Sequence, residues 1–463
     1  MRKGFLIVLA FVLAAAFAAP AMADTTIDGF FKSRAFLTNY VNYYSAAGAG
    51  GSASLPIPYQ DNVAKAFVEQ RMRIRFVTGT ENVKAVAHFE MNSIWGDSTG
   101  GGRLTGGGLT ADAVNIQTKS AYVWFKVPNT SLDFTVGNQP VSDSYANVFM
   151  GVADMSGVFM NGKADFGSYR LGWSKWSEGN LTLADDRTFY LAEAKFTPAK
   201  DVKAGLNFYV LQDDRNRPLA FSSSSTQRVY MPGVDMTFGA GPATINAWAF
   251  YQFGQYASYK DPAVTDVKIS GFAGDVRADL NAGPGKAFLE ALYISGGDNN
   301  SVKYKSIVDS GYTNSVYIRS GMQILFLAAD VLQSTSGLYN SVTGGGGAAS
   351  GSMGNGGRGL EHIAAGYTQK LSDKLTGKVG IGYLQAATLL KTDPAWMKKG
   401  MGTEVNASVD YNLYKGLDVG FVGAYAVLGD FFKRDPAGDN ASPQVKSDPK
   451  NAYDLHARIA YVF

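Results

Sequence analysis

The chain has 463 residues, of which 46% are hydrophobic and 17% charged, and it contains no cysteine. The lack of thiols excludes disulfide scaffolds, cysteine-ligated zinc sites, iron–sulfur clusters and covalently attached c-type haem, and we expect no cofactor or metal. Lys and Arg total 42 against 39 Asp and Glu, so a chain this close to neutral is not expected to bind nucleic acid.

The N-terminus has the three parts of an export signal. Arg2 and Lys3 are basic, residues 4–17 are apolar, and Ala21-Met22-Ala23 forms a small-x-small cleavage site. The apolar part is short for a bilayer span of about 20 residues, and no later stretch reaches that length. The sequence therefore predicts a signal peptide over residues 1–23, cleaved after Ala23 following Sec-dependent export, and a single domain over residues 24–463.

Most of the remaining chain alternates apolar and polar residues with a period of two, as strands with two different faces do. In the last such run Ile459 and Tyr461 lie on an apolar face, while His456 and Arg458 lie on the opposite face. The abundance of Gly, Tyr and Phe, at 54, 25 and 28 residues, also favours β-structure over helical bundles. Similar runs occur over residues 68–76, 83–91, 206–210, 273–280, 363–371, 375–383, 403–413 and 417–427.

The connections between these runs alternate between short and long. Pro128-Asn129-Thr130 and Tyr414-Lys415-Gly416 are examples of short turns, whereas residues 96–115 and 335–359 are long and rich in glycine. This arrangement predicts an all-β fold: a transmembrane antiparallel up-and-down β-barrel of about 18–20 strands, with short periplasmic turns and long extracellular loops. The range reflects two weakly patterned segments, near residues 156–164 and 323–333.

The leader, the alternating strands and above all residues 457–463, which end in Phe463, resemble the Gram-negative outer-membrane porins. The leader and first strand, residues 24–40, also resemble the porins of metal-reducing delta-proteobacteria. The resemblance implies an outer-membrane location in contact with membrane lipid and lipopolysaccharide, and a homotrimer. It also implies that the barrel-assembly machinery reads Tyr461 and Phe463 as an assembly signal.

The charged face of each strand is expected to face the lumen, because a charged side chain facing lipid near the bilayer midplane costs about 2–4 kcal/mol. Three arginines on one strand exceed what simple lumen polarity requires, which favours a role in solute passage. The alternative is that they only pair with neighbouring acids. The predicted basic pore-lining residues are Arg71, Arg73, Arg75 and Arg458. The other predicted pore-lining residues are Glu69, His88, Glu90, Asp275, Arg277, Asp279, Glu404, Asp410, Asp454 and His456.

Residues 140–156 occupy the position at which the porins that this chain resembles fold a loop into the bore. The segment carries Asp143, Tyr145 and Asp154, and an acidic loop of this kind faces a basic wall in that family. The sequence thus predicts a constriction loop facing the arginines, with a transverse field that orients dipolar solutes. The alternative is a loop that only caps the rim.

The predicted function is a water-filled channel for passive diffusion of small hydrophilic solutes or ions, with selectivity left open by the nearly equal charge counts. The alternative is a barrel sheath around a multihaem cytochrome partner, forming a porin–cytochrome electron conduit. An enzyme is not expected. His456 lies two residues from Asp454, but the sequence identifies no nucleophile or oxyanion donor beside them.

Overall fold

A computed structural model describes residues 24–39, 64–98, 104–109, 114–151, 153–179, 185–214, 225–258, 266–297, 303–310, 319–326, 353–433 and 448–463. The predicted signal peptide lies outside these residues. None of the helices in the described ranges is long and apolar enough to cross a bilayer.

The described chain forms twenty β-strands and two short 3-10 helices, Asn355–Gly357 and Asp430–Phe432. The first ten strands are β1 (Asp24–Thr38), β2 (Lys65–Gly79), β3 (Val83–Trp95), β4 (Leu104–Gly107), β5 (Ile116–Lys126), β6 (Asp133–Val141), β7 (Ala153–Ala164), β8 (Gly167–Ser177), β9 (Arg187–Ala199) and β10 (Val202–Asp213). The others are β11 (Ser225–Ala240), β12 (Ala243–Ser258), β13 (Val267–Ala282), β14 (Gly285–Ile294), β15 (Lys303–Tyr304), β16 (Leu360–Lys370), β17 (Leu375–Gln385), β18 (Gly400–Tyr414), β19 (Leu417–Leu428) and β20 (Ala452–Val462).

Eighteen of these strands form one closed antiparallel barrel, which confirms the predicted fold class. Each barrel strand pairs with the next, and β1 closes the ring by pairing with β20, with Phe31 opposite Tyr461. The short strands β4 and β15 instead pair in parallel with β3 and β13. Because the barrel is closed, the backbone N–H and C=O groups of its strands pair within the sheet. A β-structure in the bilayer core requires this pairing, because no water is available there to bind these groups.

The two uncertain segments have different outcomes. Residues 156–164 belong to β7. The prediction of a strand near residues 323–333 is wrong for residues 323–326, which form a turn. Residues 327–333 lie outside the described residues. Ile324, Leu325 and Phe326 are buried in the main apolar cluster, so the apolar run belongs to a segment packed inside the barrel and not to its wall.

The predicted short turns lie at one end of the barrel and the long connections at the other. Asn129 and Gly416 have positive φ values of 59° and 80° in two of the short turns. The structure also has short turns at residues 165–166 and 200–201, and a longer connection between β8 and β9, which the alternating pattern did not predict. The long connection predicted at residues 335–359 is part of a longer one between β14 and β16, which also contains the short strand β15.

The two faces of the wall have opposite chemistry. On β18, Val405, Val409 and Tyr411 are exposed apolar side chains on the outer face, while Glu404 on the inner face is fully buried. The same alternation of exposed apolar and buried side chains recurs around the barrel. This inversion relative to a water-soluble protein is the pattern of a lipid-embedded barrel.

Candidate functional site: the barrel interior

Residues 142–151, here called the first inserted segment, connect β6 to β7 and fold into the barrel. Tyr145 is fully buried, and its ring centroid lies 5.5 Å from that of Tyr209, 5.7 Å from Trp248 and 4.8 Å from Phe250. These partners are on the inner face of β10 and β12. The predicted constriction segment thus lies against the inner wall, although residues 140–141 belong to β6 and residues 153–156 to β7.

Asp143 shapes the backbone of this segment. Its Oδ1 accepts hydrogen bonds from the backbone N–H groups of Tyr145 and Asn147 at 2.8 and 2.9 Å, and its Oδ2 from those of Phe149 and Met150 at 3.0 and 2.6 Å. Burial raises the pKa of Asp143 to about 6, although the four N–H donors act in the opposite direction. Because both carboxylate oxygens of Asp143 accept backbone hydrogen bonds, this side chain stabilises the turn of its own segment.

Asp154 lies in β7 and forms an ion pair with Lys119 of β5. Neither of the two predicted acids therefore stands as a free charge opposite the arginines. The expected acidic face of the first inserted segment is not supplied by Asp143 or Asp154, and neutral side chains such as Ser144 and Asn147 are its partly exposed groups.

A polar network that the sequence analysis did not single out lies beneath the first inserted segment. Glu193 of β9 accepts hydrogen bonds from Tyr209, from Ser144 Oγ at 2.9 Å and from Arg170 Nε at 2.8 Å. Lys195, two residues further along β9, donates to Ser144 Oγ at 3.0 Å. These residues follow the same period of two as the predicted lumen residues, and that pattern could have identified them.

Residues 303–310, 319–326 and 353–359, here called the second inserted segment, belong to the connection between β14 and β16 and also pack inside the barrel. The Gln252 amide of β12 donates to the Val308 carbonyl at 2.8 Å and accepts from the Val308 N–H at 2.7 Å. The Ser310 N–H donates to the Phe149 carbonyl at 2.9 Å. The two inserted segments are thus joined directly.

Glu404 anchors the middle of the second inserted segment. Its carboxylate accepts hydrogen bonds from the backbone N–H groups of Gln323, Ile324 and Leu325 at 2.6, 2.9 and 2.9 Å. Asn406 Nδ2 donates to the same carboxylate at 2.9 Å. Glu404 therefore faces the inside of the barrel, where the second inserted segment covers it.

A second anchor joins Arg319 of this segment to the acids of β13 and β14. Arg319 Nη1 lies 3.0 Å from Asp275 Oδ1, and the Arg319 carbonyl accepts a hydrogen bond from Arg277 Nη1 at 2.8 Å. Arg277 also contacts Glu290 at 2.8 Å and Asp279 at 2.9 Å. Three predicted pore-lining residues, Asp275, Arg277 and Asp279, therefore belong to a network that holds the segment.

The three arginines of β2 each have a partner on a neighbouring strand. Arg71 Nε donates to Asn92 at 2.6 Å, Arg73 Nε to Glu90 at 2.6 Å, and Arg75 Nη2 to Asp28 at 2.7 Å. Their side chains are 9%, 23% and 47% exposed in that order. Exposure thus rises toward the periplasmic end of the strand, and Arg75 is the most accessible of the three.

Arg34 and Arg458 extend this group across β1 and β20. Arg34 forms a buried ion pair with Glu69. Arg458 Nε reaches across β19 to Asp410 Oδ1 of β18 at 3.0 Å. This reach depends on Gly420 of β19, because a Cβ at that position would clash with Asp410 Oδ1 and lie 2.9 Å from Arg458 Nε.

A cavity of about 440 Å³ lies beside the Arg458–Asp410 pair. Lys32 and Lys378 line it together with Arg34 and Arg458, and Lys378 Nζ is 3.6 Å from Asp410 Oδ2. Cationic groups of β1, β17 and β20 therefore share one space with the acids Asp373, Asp410 and Asp418.

The remaining predicted residues are placed as follows. His88 of β3 lies opposite Arg75 in the strand register. His456 Nδ1 lies 3.0 Å from Asp454 Oδ2, and the His456 ring packs against Phe36 at 4.8 Å. Tyr461 and Phe463 are exposed on the outer face with ring centroids 5.8 Å apart.

No protein-family model and no curated protein sequence matches this chain. Several solved structures do. The outer membrane protein OpdK from Pseudomonas aeruginosa is 10% identical with a TM-score of 0.53, over 95% of this chain and 98% of that one. Acinetobacter baumannii OccAB4 is 9% identical with a TM-score of 0.53, over 96% and 99%. A BenF-like porin from Pseudomonas fluorescens is 11% identical with a TM-score of 0.52, over 95% and 98%.

The fold is that of a Gram-negative outer-membrane porin. Since identities near 10% show the fold alone, they do not transfer a solute or a site residue from those proteins. The likeness over nearly the full length of both chains confirms the predicted barrel fold.

Proposed function

We propose that this protein is a non-enzymatic outer-membrane channel for the passive diffusion of small hydrophilic solutes or ions. The observation that carries the proposal is a closed 18-strand barrel with charged side chains on its inner face and apolar side chains on its outer face. At this strand number side chains alone do not fill a barrel, so an aqueous lumen is expected.

The inserted segments define where the aqueous path would run. Among the described residues, their side-chain contacts with the wall include Arg170 of β8, Gln252 of β12 and Glu404 of β18. The arginine side chains lie on β1, β2 and β20, which are neighbours in the ring. The path would therefore pass between the inserted segments on one side and the arginine wall on the other, and Arg75 would be the most accessible of the three β2 arginines along it.

The contents of the lumen favour a diffusion channel over a cytochrome sheath. A sheath needs its bore free for a haem protein, whereas Tyr145, Ile324 and Phe326 are buried parts of segments that occupy the bore. These segments are held by direct hydrogen bonds to the wall, so displacing them would leave buried polar groups without partners.

The test is planar-bilayer recording of the purified protein alone. We expect stepwise conductance increments from single channels. A membrane that stays silent at protein amounts sufficient for insertion would contradict the proposal, and co-purification with a haem protein would favour the sheath.

Assembly follows the same proposal. We expect a homotrimer surrounded by outer-membrane lipid and lipopolysaccharide, inserted by the barrel-assembly machinery through the exposed terminal aromatics Tyr461 and Phe463. Cross-linking in outer-membrane vesicles, followed by denaturing electrophoresis, should give a ladder that ends at the trimer. A ladder that ends at the monomer would contradict trimeric assembly.

A further inference from the structure

Among the described residues, the pairing of β2 with β3 leaves a gap at the end that carries the long loops. β2 pairs with β1 along its whole length from Lys65 to Gly79. Its pairing with β3, among the described residues, ends where Glu69 lies opposite Ile94. Residues 65–68 of β2 therefore continue along β1 with no paired β3 residue on their other side.

The gap arises because β3 turns away. The Asp97 N–H donates to the Ile94 carbonyl at 3.2 Å, and Gly96 has a φ of +85°, the conformation that a type II turn requires at its third residue. Strand β4 does not seal the gap. Since Ser93 pairs with Gln70 of β2 and also with Leu104 of β4, β4 must lie on the edge of β3 that faces away from β2.

A cavity of about 450 Å³ occupies the gap, and we call it the β2–β3 crevice. Residues from both faces of the wall line it. Ala66 pairs with Leu37, an outward side chain that is 43% exposed, and Trp95 is 56% exposed. By contrast Phe67 stacks on the inward-facing Phe36 at 4.9 Å. The described residues that line it are Lys65, Ala66, Phe67, Ile94, Trp95, Gly96 and Asp97.

The lining is apolar at its centre and charged at its edge. Ala66, Phe67, Ile94 and Trp95 supply the apolar surface, while Lys65, the first residue of β2, and Asp97, just past the end of β3, lie at the loop end. The Trp95 indole donates to the Gln70 amide oxygen at 2.8 Å, and an outward Trp with a satisfied N–H is typical of the membrane–water interface. The exposed Leu37 places the crevice next to the apolar belt.

We propose that the β2–β3 crevice binds a single-chain amphiphile taken from the outer leaflet of the membrane. The apolar chain lies between Ala66, Phe67 and Trp95, and the polar head lies at the rim near Lys65 and Asp97. The volume is within the range of small-molecule sites, about 300–1,000 Å³. This goes beyond aqueous diffusion, because a crevice lined from both faces of the wall joins the bilayer to the upper lumen.

Photoaffinity labelling of the full protein in lipid nanodiscs tests the proposal. The probe is dodecanoic acid with a diazirine at the end of its chain, and adducts are mapped by mass spectrometry. We expect adducts to concentrate on the peptides that contain Ala66 and Trp95, and unlabelled dodecanoic acid to suppress them. Ala66→Trp fills the crevice and should lower this labelling about tenfold, equivalent to a loss of about 1.4 kcal/mol of binding.

Ala457→Trp is the matched control. Ala457 is an exposed outward residue of β20 that is paired on both sides, with Ala35 and Phe421, so the same large side chain is added where the wall is continuous. Labelling at Ala66 should be unchanged in this variant. If Ala66→Trp fails to give the heat-modifiable folded form, Ala66→Leu fills part of the crevice and should lower labelling in the same direction.

Adducts spread evenly over the outer face would mean ordinary lipid contact and would overturn the proposal, as would undiminished labelling in folded Ala66→Trp. The outcome is separate from channel function. Ala66→Trp should retain the conductance of the unmodified protein, and a lack of conductance in both would contradict the channel alone.

Discussion

Glu404 of β18 accepts a hydrogen bond at 2.9 Å from the backbone N–H of Ile324, 80 positions earlier in the sequence. Gln323 and Leu325 donate to the same carboxylate. A turn buried inside a barrel loses the water that would satisfy these N–H groups, and one carboxylate takes its place. Glu404 therefore holds the turn at residues 323–325, while Gln252 and Asp275 hold other parts of the second inserted segment.

Glu404→Gln should loosen the second inserted segment. The Gln side chain has one acceptor oxygen where Glu has two, and its NH2 group faces backbone N–H groups that need an acceptor. Each buried N–H group left without an acceptor destabilises the folded protein by about 1–3 kcal/mol. We expect larger and noisier single-channel currents with little change in the heat-modifiable fraction. Glu81→Gln, in an exposed turn, is the control. Equal current noise in the two variants would show that Glu404 does not hold the segment.

Asp143→Ala should release the first inserted segment from its compact turn. It removes the acceptors of four backbone N–H groups, at Tyr145, Asn147, Phe149 and Met150. We expect faster proteolysis within residues 142–151 and a higher conductance. Asp154→Ala removes an acid from the adjoining strand without touching these N–H groups, so it should leave proteolysis of the segment unchanged. Protection of the segment in Asp143→Ala would refute its structural role.

Replacing Arg71, Arg73 and Arg75 together with Gln should shift the reversal potential in a salt gradient toward cation preference. The change removes three positive charges and also leaves Glu90 and Asp28 without their arginine partners. Arg75→Gln alone should give the largest single effect because Arg75 is the most exposed, and Arg71→Gln the smallest. Lys415→Gln, in an exposed turn, is the control. No shift in the triple variant would place the arginines away from the narrowest point.

Gly420→Ala should separate Arg458 from Asp410. The added methyl group clashes with Asp410 Oδ1 and comes within 2.9 Å of Arg458 Nε, so these side chains must shift and their ion pair is weakened. We expect a lower urea midpoint for unfolding from lipid vesicles and an altered ion selectivity. Gly423→Ala on the same strand meets only Leu455 Cδ2 at 3.3 Å and should change neither quantity. Matching midpoints for the two variants would show that the close passage at Gly420 is not required.

The barrel could be predicted from sequence because each strand has lipid on one face and the polar barrel interior on the other, which requires apolar and polar residues to alternate. Successive side chains of a strand point alternately to these two faces, so β18 and β20 could be predicted from their own residues alone. The error near residues 323–333 has the opposite cause. Ile324, Leu325 and Phe326 are apolar because they pack against other side chains within the bore, and a short apolar run does not reveal which apolar surroundings it has.

The interior charges were predictable as a face but not as partners. Period two places Arg73 and Arg75 on one side of β2, yet their pairing with Glu90 and Asp28 depends on the register with β3 and β1. Asp143 shows a further limit. Its carboxylate accepts backbone hydrogen bonds because the segment forms a turn in which Ala146 and Asn147 both have positive φ. The sequence of the segment does not distinguish such an enclosed carboxylate from one that is free in the lumen.

The seam between β1 and β20 brings residues from opposite ends of the described chain into one ladder, with Gly29 and Phe463 exchanging backbone hydrogen bonds at 3.0 and 3.1 Å. Topologically the wall is a ring whose starting point is arbitrary. A short linker across this seam, combined with a cut in any other periplasmic turn, should therefore give a permuted barrel that folds to the same cylinder.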